Sequence, residues 1–572
     1  MPMLPWIWRR LMKFKDYVYE RPDVKEVATA IERLAEEIAN AKSFASAKQA
    51  LEQALELQDH YGTMAILCSI RHSINTEDSY YEQEQAYFDE NQPVVSNAVN
   101  KLDKVLVNSS YRKELEELFT EQLFTQKEIG LKVFDEKIME DLVEEAKLCT
   151  EYSKLLGSAK IEFDGKINNL SQMTAYMNHQ DRNIRKAAEE KKAEFMASIE
   201  DKLDSIYDKL VQVRTQMAKK LGYPNYVELG YLRLGRSDYN SKDVANYRQQ
   251  VAEYVVPVAE RILKAQAKRI GVSDFKSYDI PLFYPDGNPD HGKNKDALVQ
   301  SAHQFYSALS KETKEFFEFM VEHELMDLET KAGKEGGGYC TMIPDFKAPF
   351  IFSNFNGTMG DVDVLTHEAG HAFEVYTASK LLPSSDVFWP TLEACEIHSM
   401  SMEFFAYPYM DLFFTKDAAK YQFKHLSEAI TFIPYGVCVD EFQHFVYEHP
   451  EATPQMRKDK WKELEKKYTP WKTYDVDYYN RGNFWHQQGH IFSSAFYYID
   501  YTLAQMCAFQ FLLLDRKNHK MAWDKYYELC KLGGSKSFVH LLKAVDLKNP
   551  FEKDSLKEIM PKLEEVLKTL EV

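Results

Sequence analysis

The spacing of apolar residues is the strongest constraint on how this chain folds. After Pro22 and a candidate cap at Asp23, they fall at Val24, Val27, Ala28, Ile31, Leu34, Ala35 and Ile38, the spacing of one face of a long helix. Similar patterns recur to about residue 158 without a fixed period, which argues against a helical solenoid. Helix formers dominate again over 181–223, where Gly222 and Pro224 supply a stop. Two stretches break the pattern. "KIEFDGKINNLSQM" (160–173) centres Asp164-Gly165 between short alternating runs, a hairpin signal. "KAGKEGGGYCTMIPDFKAPFIFSNFNGT" (331–358) reads as a glycine turn followed by one or two strands; it lacks the Lys-Ser/Thr that ends a phosphate loop. The expected fold is mainly α with a small β-sheet, and 572 residues suit several domains or one large two-lobed body. A seam near 170–200 would separate an N-terminal helical region, 1–180, from the remainder, 181–572.

Composition narrows the function. A formal charge of −18 speaks against a nucleic-acid partner, whose phosphates need clustered Lys and Arg. Seven cysteines, none in a C-x-x-C pair, suit a reduced, cytoplasmic setting better than a disulfide framework. The opening "MPMLPWIWRRLMKF" has its apolar residues before its basic ones, the reverse of a secretory signal, and no apolar run is long enough to span a bilayer. Neither export nor a membrane partner is expected, and Met12 could itself be a start, making the first eleven residues an extension.

The chemistry-bearing stretch is "VLTHEAGHAFEVY" (364–376). On a helix, residues four apart share a face, so His367 and His371 can aim two imidazoles at one ion, with Glu368 beside them. The bland alternative is one polar turn of a buried helix. Asp361 or Asp363 can serve the helix N-terminus, and Gly370, which costs about 1 kcal/mol in a helix, points to close packing over the site. Catalytic zinc takes three protein ligands and keeps a position open. The H-E-x-x-H-x-x-G-x-x-H pattern is excluded by Glu374 and Thr377, which leaves a carboxylate from "PTLEACEIHSMSMEFF" (390–405): Glu393, Glu396 or Glu403.

"HEAGHAFE" followed by "EACEIHSMSMEFF" resembles the oligoendopeptidase F branch of the thimet-oligopeptidase-like zinc metallopeptidases. "KLGYPNYVELGYLRLGRSDYN" (220–240), "DEFQHFVYEHP" (440–450) and "GHIFSSAFYYIDYTLA" (489–504) agree with it. The resemblance runs through most of the chain beyond about residue 160. It implies a helical body enclosing a deep substrate channel, one Zn2+ per chain, short unfolded peptides as substrates, and Glu396 as the third ligand. Glu368 is then the general base, taking a proton from the attacking water and returning it to the departing amine. His490 and one or more of Tyr498, Tyr501 and Tyr497 are implied to contact the tetrahedral intermediate.

Glu403 and Glu393 are expected to support a ligand histidine, against readings as a buried ion pair and a surface charge respectively. His398 and Cys395 read as structural. The strand candidate at 348–358, with Phe352, Asn354 and Gly357, could offer an exposed edge to an extended peptide, against a reading as an internal strand of a small sheet. His486 and His490 also stand four apart, but without a glutamate between them a second metal is not favoured. The function expected is a zinc endopeptidase of oligopeptides. Rival readings are a dipeptidyl-carboxypeptidase or carboxypeptidase on a related fold, and a non-catalytic peptide-binding protein.

Overall fold

The computed structural model describes residues 12–331 and 333–571; the expectation for the first eleven residues lies outside them. Asp23 caps the helix Val24–Ala39, accepting the backbone N–H groups of Lys25 and Glu26 at 2.9 and 3.1 Å. The expected apolar face is buried at Ala28, Ile31, Leu34, Ala35 and Ile38, against the long helices Phe44–Ile74 and Ser79–Val107. Each Leu or Ile buried there contributes about 1.5–3 kcal/mol relative to exposure. That is why its spacing decides the fold.

Among the described residues, five short strands form two sheets. β1 (Ile161–Phe163) and β2 (Lys166–Asn168) make the expected hairpin, with Phe163 opposite Lys166. Asp164 and Gly165 both take positive φ, 54° and 68°, as a two-residue primed turn requires. β3 (Met326–Glu329), β4 (Tyr339–Ile343) and β5 (Ala348–Phe355) form the second sheet in the order β3-β5-β4. β5 runs parallel to β3 and antiparallel to β4. It is almost continuously apolar because it is central and covered. β5 is thus an internal strand rather than a free edge: β4 pairs along 348–352 and β3 along 351–355, and β4 and β3 are the outer strands. The helical stretch 181–223 is two helices, Arg182–Ser198 and Glu200–Leu221, capped by Asp181 and ended by Gly222 at φ 90°.

Compactness divides the chain into two units of three stretches each. One takes in the chain up to Glu136, then Asp290–Thr415 and Leu514–Leu547; the other takes in Lys137–Pro289, Lys416–Leu513 and the chain from Lys548 onward. These units cross the linear division expected at residue 180. The three-stranded sheet belongs to the first unit and the hairpin to the second. No described helix is long and apolar enough to cross a membrane.

In the second unit, buried charges face one another. Arg236 meets Asp500 at 2.5 Å with both side chains fully buried, and Arg248 bonds Asp440 beside His444. Burial alone would raise the Asp440 pKa, but His444 and Arg248 outweigh it and bring it down to about 2. A depressed carboxylate stabilises the fold above its unfolded value, here near 3.8, and that contribution is lost as pH falls through the folded value. Asp440→Ala should lower stability by about 3 kcal/mol at neutral pH, read from urea unfolding, and the gap should narrow between about pH 4 and pH 2. An unchanged midpoint at pH 7 would show that the pair contributes nothing.

Candidate metal centre

Two helices of the first unit build the site. The H-E-x-x-H helix, Gly360–Leu381, follows β5 directly. Asp361 closes the junction by accepting the backbone N–H groups of Asn356 and Gly357, both at 2.9 Å. The glutamate helix, Leu392–Phe405, packs against it. At Gly370 the two backbones nearly touch: a Cβ there would lie 2.7 Å from Ser399 Cα and 2.8 Å from the His398 carbonyl oxygen. Only a residue without a side chain permits that approach, and the close packing expected from the glycine is present.

This contact brings the candidate donors together. His367 Nε2 and His371 Nε2 lie 3.2 and 3.4 Å from Glu396 Oε2, and the three donor atoms all lie within 4.8 Å of one another. Among the described residues this is the group able to hold a metal ion. His367 Nδ1–H donates to Glu403 Oε1 at 2.6 Å, which leaves Nε2 facing the cluster and fixes the ring's orientation. The Ser399 hydroxyl donates to Glu396 Oε2 at 2.9 Å. Burial opposes protonation of His367, but Glu396 and Glu403 outweigh it and raise its pKa well above 6.5. Burial would likewise raise Glu396, yet His371 and His367 hold it well below the usual carboxylate range.

Glu368 lies beside this group, 8% exposed, and burial raises its pKa despite the neighbouring histidines. It lines a cavity of about 320 Å³ with Gly338, Asp363, Val364, His367 and Glu403. Gly338 precedes the outer strand β4, and a Cβ there would be 3.6 Å from Glu368 Oε1 and 3.3 Å from the Phe352 carbonyl oxygen.

The second unit carries the expected histidine and tyrosines. The His490 ring lies 5.6, 5.0 and 5.7 Å from the rings of Tyr497, Tyr498 and Tyr501. Of the three hydroxyls, that of Tyr501 is 3.3 Å from His490 Nε2, whereas the Tyr498 ring packs on Phe432 and Tyr435. His486 is turned elsewhere, bonded to Tyr478 at 2.7 Å and Asp204 at 3.1 Å.

The sequence profile of peptidase family M3 matches residues 175–561, and that of the peptidase M3 N-terminal domain matches 14–134. The chain belongs to peptidase family M3. It is similar to an oligoendopeptidase F homolog of Lactococcus lactis subsp. lactis, 23% identical over 56% of this chain and 55% of that protein. It also matches the chromosomal oligoendopeptidase F of Lactococcus lactis subsp. cremoris, 31% identical over 20% of this chain and 19% of that one. The chain thus spans about half or less of the curated relatives it matches. Solved structures align along nearly its whole length. PZ peptidase A with inhibitor 2 has a TM-score of 0.95 at 48% identity, covering 98% of this chain and 100% of that one. A provisionally named oligoendopeptidase F from Bacillus anthracis str. Ames has a TM-score of 0.90 at 48% identity, covering 98% and 99%.

Within this M3 chain several expectations change. Glu393 is 1% exposed, so it is not a surface charge, and it is Glu403 that holds His367. Phe352 is fully buried, stacked on Tyr339 with the Lys334 ammonium 4.5 Å over its ring. The Asn354 amide donates to the Glu335 and Gly337 carbonyls, both at 2.8 Å. Gly357 occupies a turn at φ 86°. Phe352 and Asn354 are thus engaged with neighbouring strands and loops, and Gly357 stands at the turn into the H-E-x-x-H helix. His398 is buried and kept neutral, its pKa pulled down to about 3 by burial, and Cys395 packs with its thiol 3.3 Å from the Pro390 carbonyl oxygen. Residue spacing gave no warning of Gln488, whose amide bonds His490, because residues two apart do not face each other on a helix.

Gly370→Ala separates two effects of opposite sign. Helix propensity alone would raise stability by about 1 kcal/mol, whereas forcing a methyl against the Ser399 backbone should cost about 1–3 kcal/mol. A lowered thermal midpoint is expected; a raised one would mean that the helices do not meet there.

Proposed function

We propose that the chain is a zinc-dependent endopeptidase that hydrolyses internal bonds of short, unfolded oligopeptides, with residues 181–572 as the catalytic region. The observation that carries this reading is the convergence of His367, His371 and Glu396, with Glu403 bracing the first ring. Two imidazoles and one carboxylate form a known donor set for catalytic zinc, and the names of the relatives agree. Bound there, the cation would supply Lewis acidity, polarising a carbonyl and lowering the pKa of water.

The chain's own residues do the rest. Glu368 accepts a proton from the attacking water and delivers it to the departing amine, a task for which its raised pKa suits it. His490 and Tyr501 donate hydrogen bonds to the charge developing on the scissile carbonyl oxygen, with Tyr498 and Tyr497 packed around them. A reducing, cytoplasmic setting accords with seven cysteines free of disulfides.

Glu368→Ala should retain about one zinc per chain by elemental analysis while turnover falls by about 100-fold or more; wild-type turnover would remove Glu368 as the base. Glu403→Ala should weaken zinc binding about 10–100-fold in a chelator competition, and unchanged affinity would make that contact an ordinary ion pair. Peptides blocked at both ends should be cut. A strict need for a free C-terminus would point to a carboxypeptidase, and no hydrolysis by the zinc-loaded protein to a peptide-binding protein.

A further inference from the structure

We propose that Gln488, itself held by Tyr435, is a positioning residue that fixes His490 in the tautomer protonated on Nε2. Its consequence for turnover rests on the role proposed above for His490. The Tyr435 hydroxyl donates to Gln488 Oε1 at 2.9 Å, and Gln488 Nε2 meets His490 Nδ1 at 3.0 Å. Among the described residues, that amide oxygen is the phenol's hydrogen-bond acceptor, and burial pushes the phenol pKa well up, so it keeps its proton.

The direction of the chain of bonds follows. The phenol proton needs an acceptor, so Gln488 presents its carbonyl to Tyr435 and its N–H2 to the imidazole. An amide N–H2 donates only, so Nδ1 must offer a lone pair, and a neutral ring then carries its proton on Nε2. Nε2 is the nitrogen that faces the Tyr501 hydroxyl at 3.3 Å. Turning the amide over would present Nδ1–H to the carbonyl, strip Nε2 of its proton and leave the phenol without an acceptor.

The surroundings hold both partners. Tyr435 follows Pro434 in the helix Ala418–Glu448. Its ring meets Tyr498 and Phe484 edge-on at 5.9 and 6.1 Å, with the Lys472 ammonium 5.2 Å away. Gln488 immediately precedes the short helix Gly489–Ser493 that carries His490. A ring so fixed is a neutral donor aimed through one nitrogen, the state that stabilising a developing oxyanion requires.

The test is nitrogen-15 NMR of the full-length, zinc-loaded protein labelled at histidine, with His490→Gln identifying the resonances. Wild type should show a bare Nδ1 and a protonated Nε2. Gln488→Glu keeps the bond from Tyr435 but places a carboxylate at Nδ1, so Nδ1 should become protonated. Turnover should then fall about 100-fold with KM within about threefold. Tyr435→Phe frees the amide to turn, and a second set of His490 signals should appear even if Gln488→Glu folds poorly. A wild-type ring protonated on Nδ1 with Nε2 bare, or nitrogen shifts unmoved by both substitutions, would overturn the proposal. A tautomer switch with unchanged turnover would uphold Gln488 as the positioning residue and remove His490 from the reaction.

Discussion

The backbone contact at Gly370 is the constraint on which the rest of the centre depends. An i, i+4 pair of histidines sets a direction, but it does not bring a third donor from another helix. Removing one side chain lets the glutamate helix approach within 2.7 Å of where a Cβ would stand, and that places Glu396 against both rings. Glu403, two helical turns after Glu396, then reaches the far nitrogen of His367. A sequence cost of about 1 kcal/mol is thereby converted into the position of a whole cluster.

That approach also explains how so many ionisable groups share one buried volume. A carboxylate taken out of water is expensive unless it is paired and bonded. Glu396 is held by two imidazoles and a serine hydroxyl, so its pKa falls, whereas Glu368 has no such close partner among the described residues, and burial raises it. Two glutamates on neighbouring helices therefore differ in basicity, as the separate roles proposed for them require.

The second unit uses the same means around His490. Phe496 takes a positive φ of 67°, and that turn is pinned from three sides. Gln443 accepts its backbone N–H at 2.5 Å, Arg236 donates to its carbonyl at 2.7 Å, and Gly230 leaves room for its ring. The segment bearing His490 and the tyrosines is thus fixed by buried polar groups.

Much of this was legible in the chain. The apolar spacing marked the first helices, Asp164-Gly165 the hairpin, and Gly370 the tight packing, because each depends on local geometry that residue type dictates. Pairing order was not legible: β5 is apolar whether central or outer, so the expected edge at Phe352 and Asn354 was misplaced. Burial of Glu393 was hidden too, since one glutamate on a helix looks like another until its neighbours are known. The Tyr435–Gln488–His490 chain spans more than fifty residues, and no periodicity records it.

X-ray absorption at the zinc edge of the metal-loaded protein reads the tripod directly. Two imidazole nitrogens and carboxylate oxygen are expected around the ion, with one imidazole fewer in His371→Ala and altered oxygen scattering in Glu396→Ala. A zinc environment identical in wild type and both variants would place the metal elsewhere and contradict the centre described.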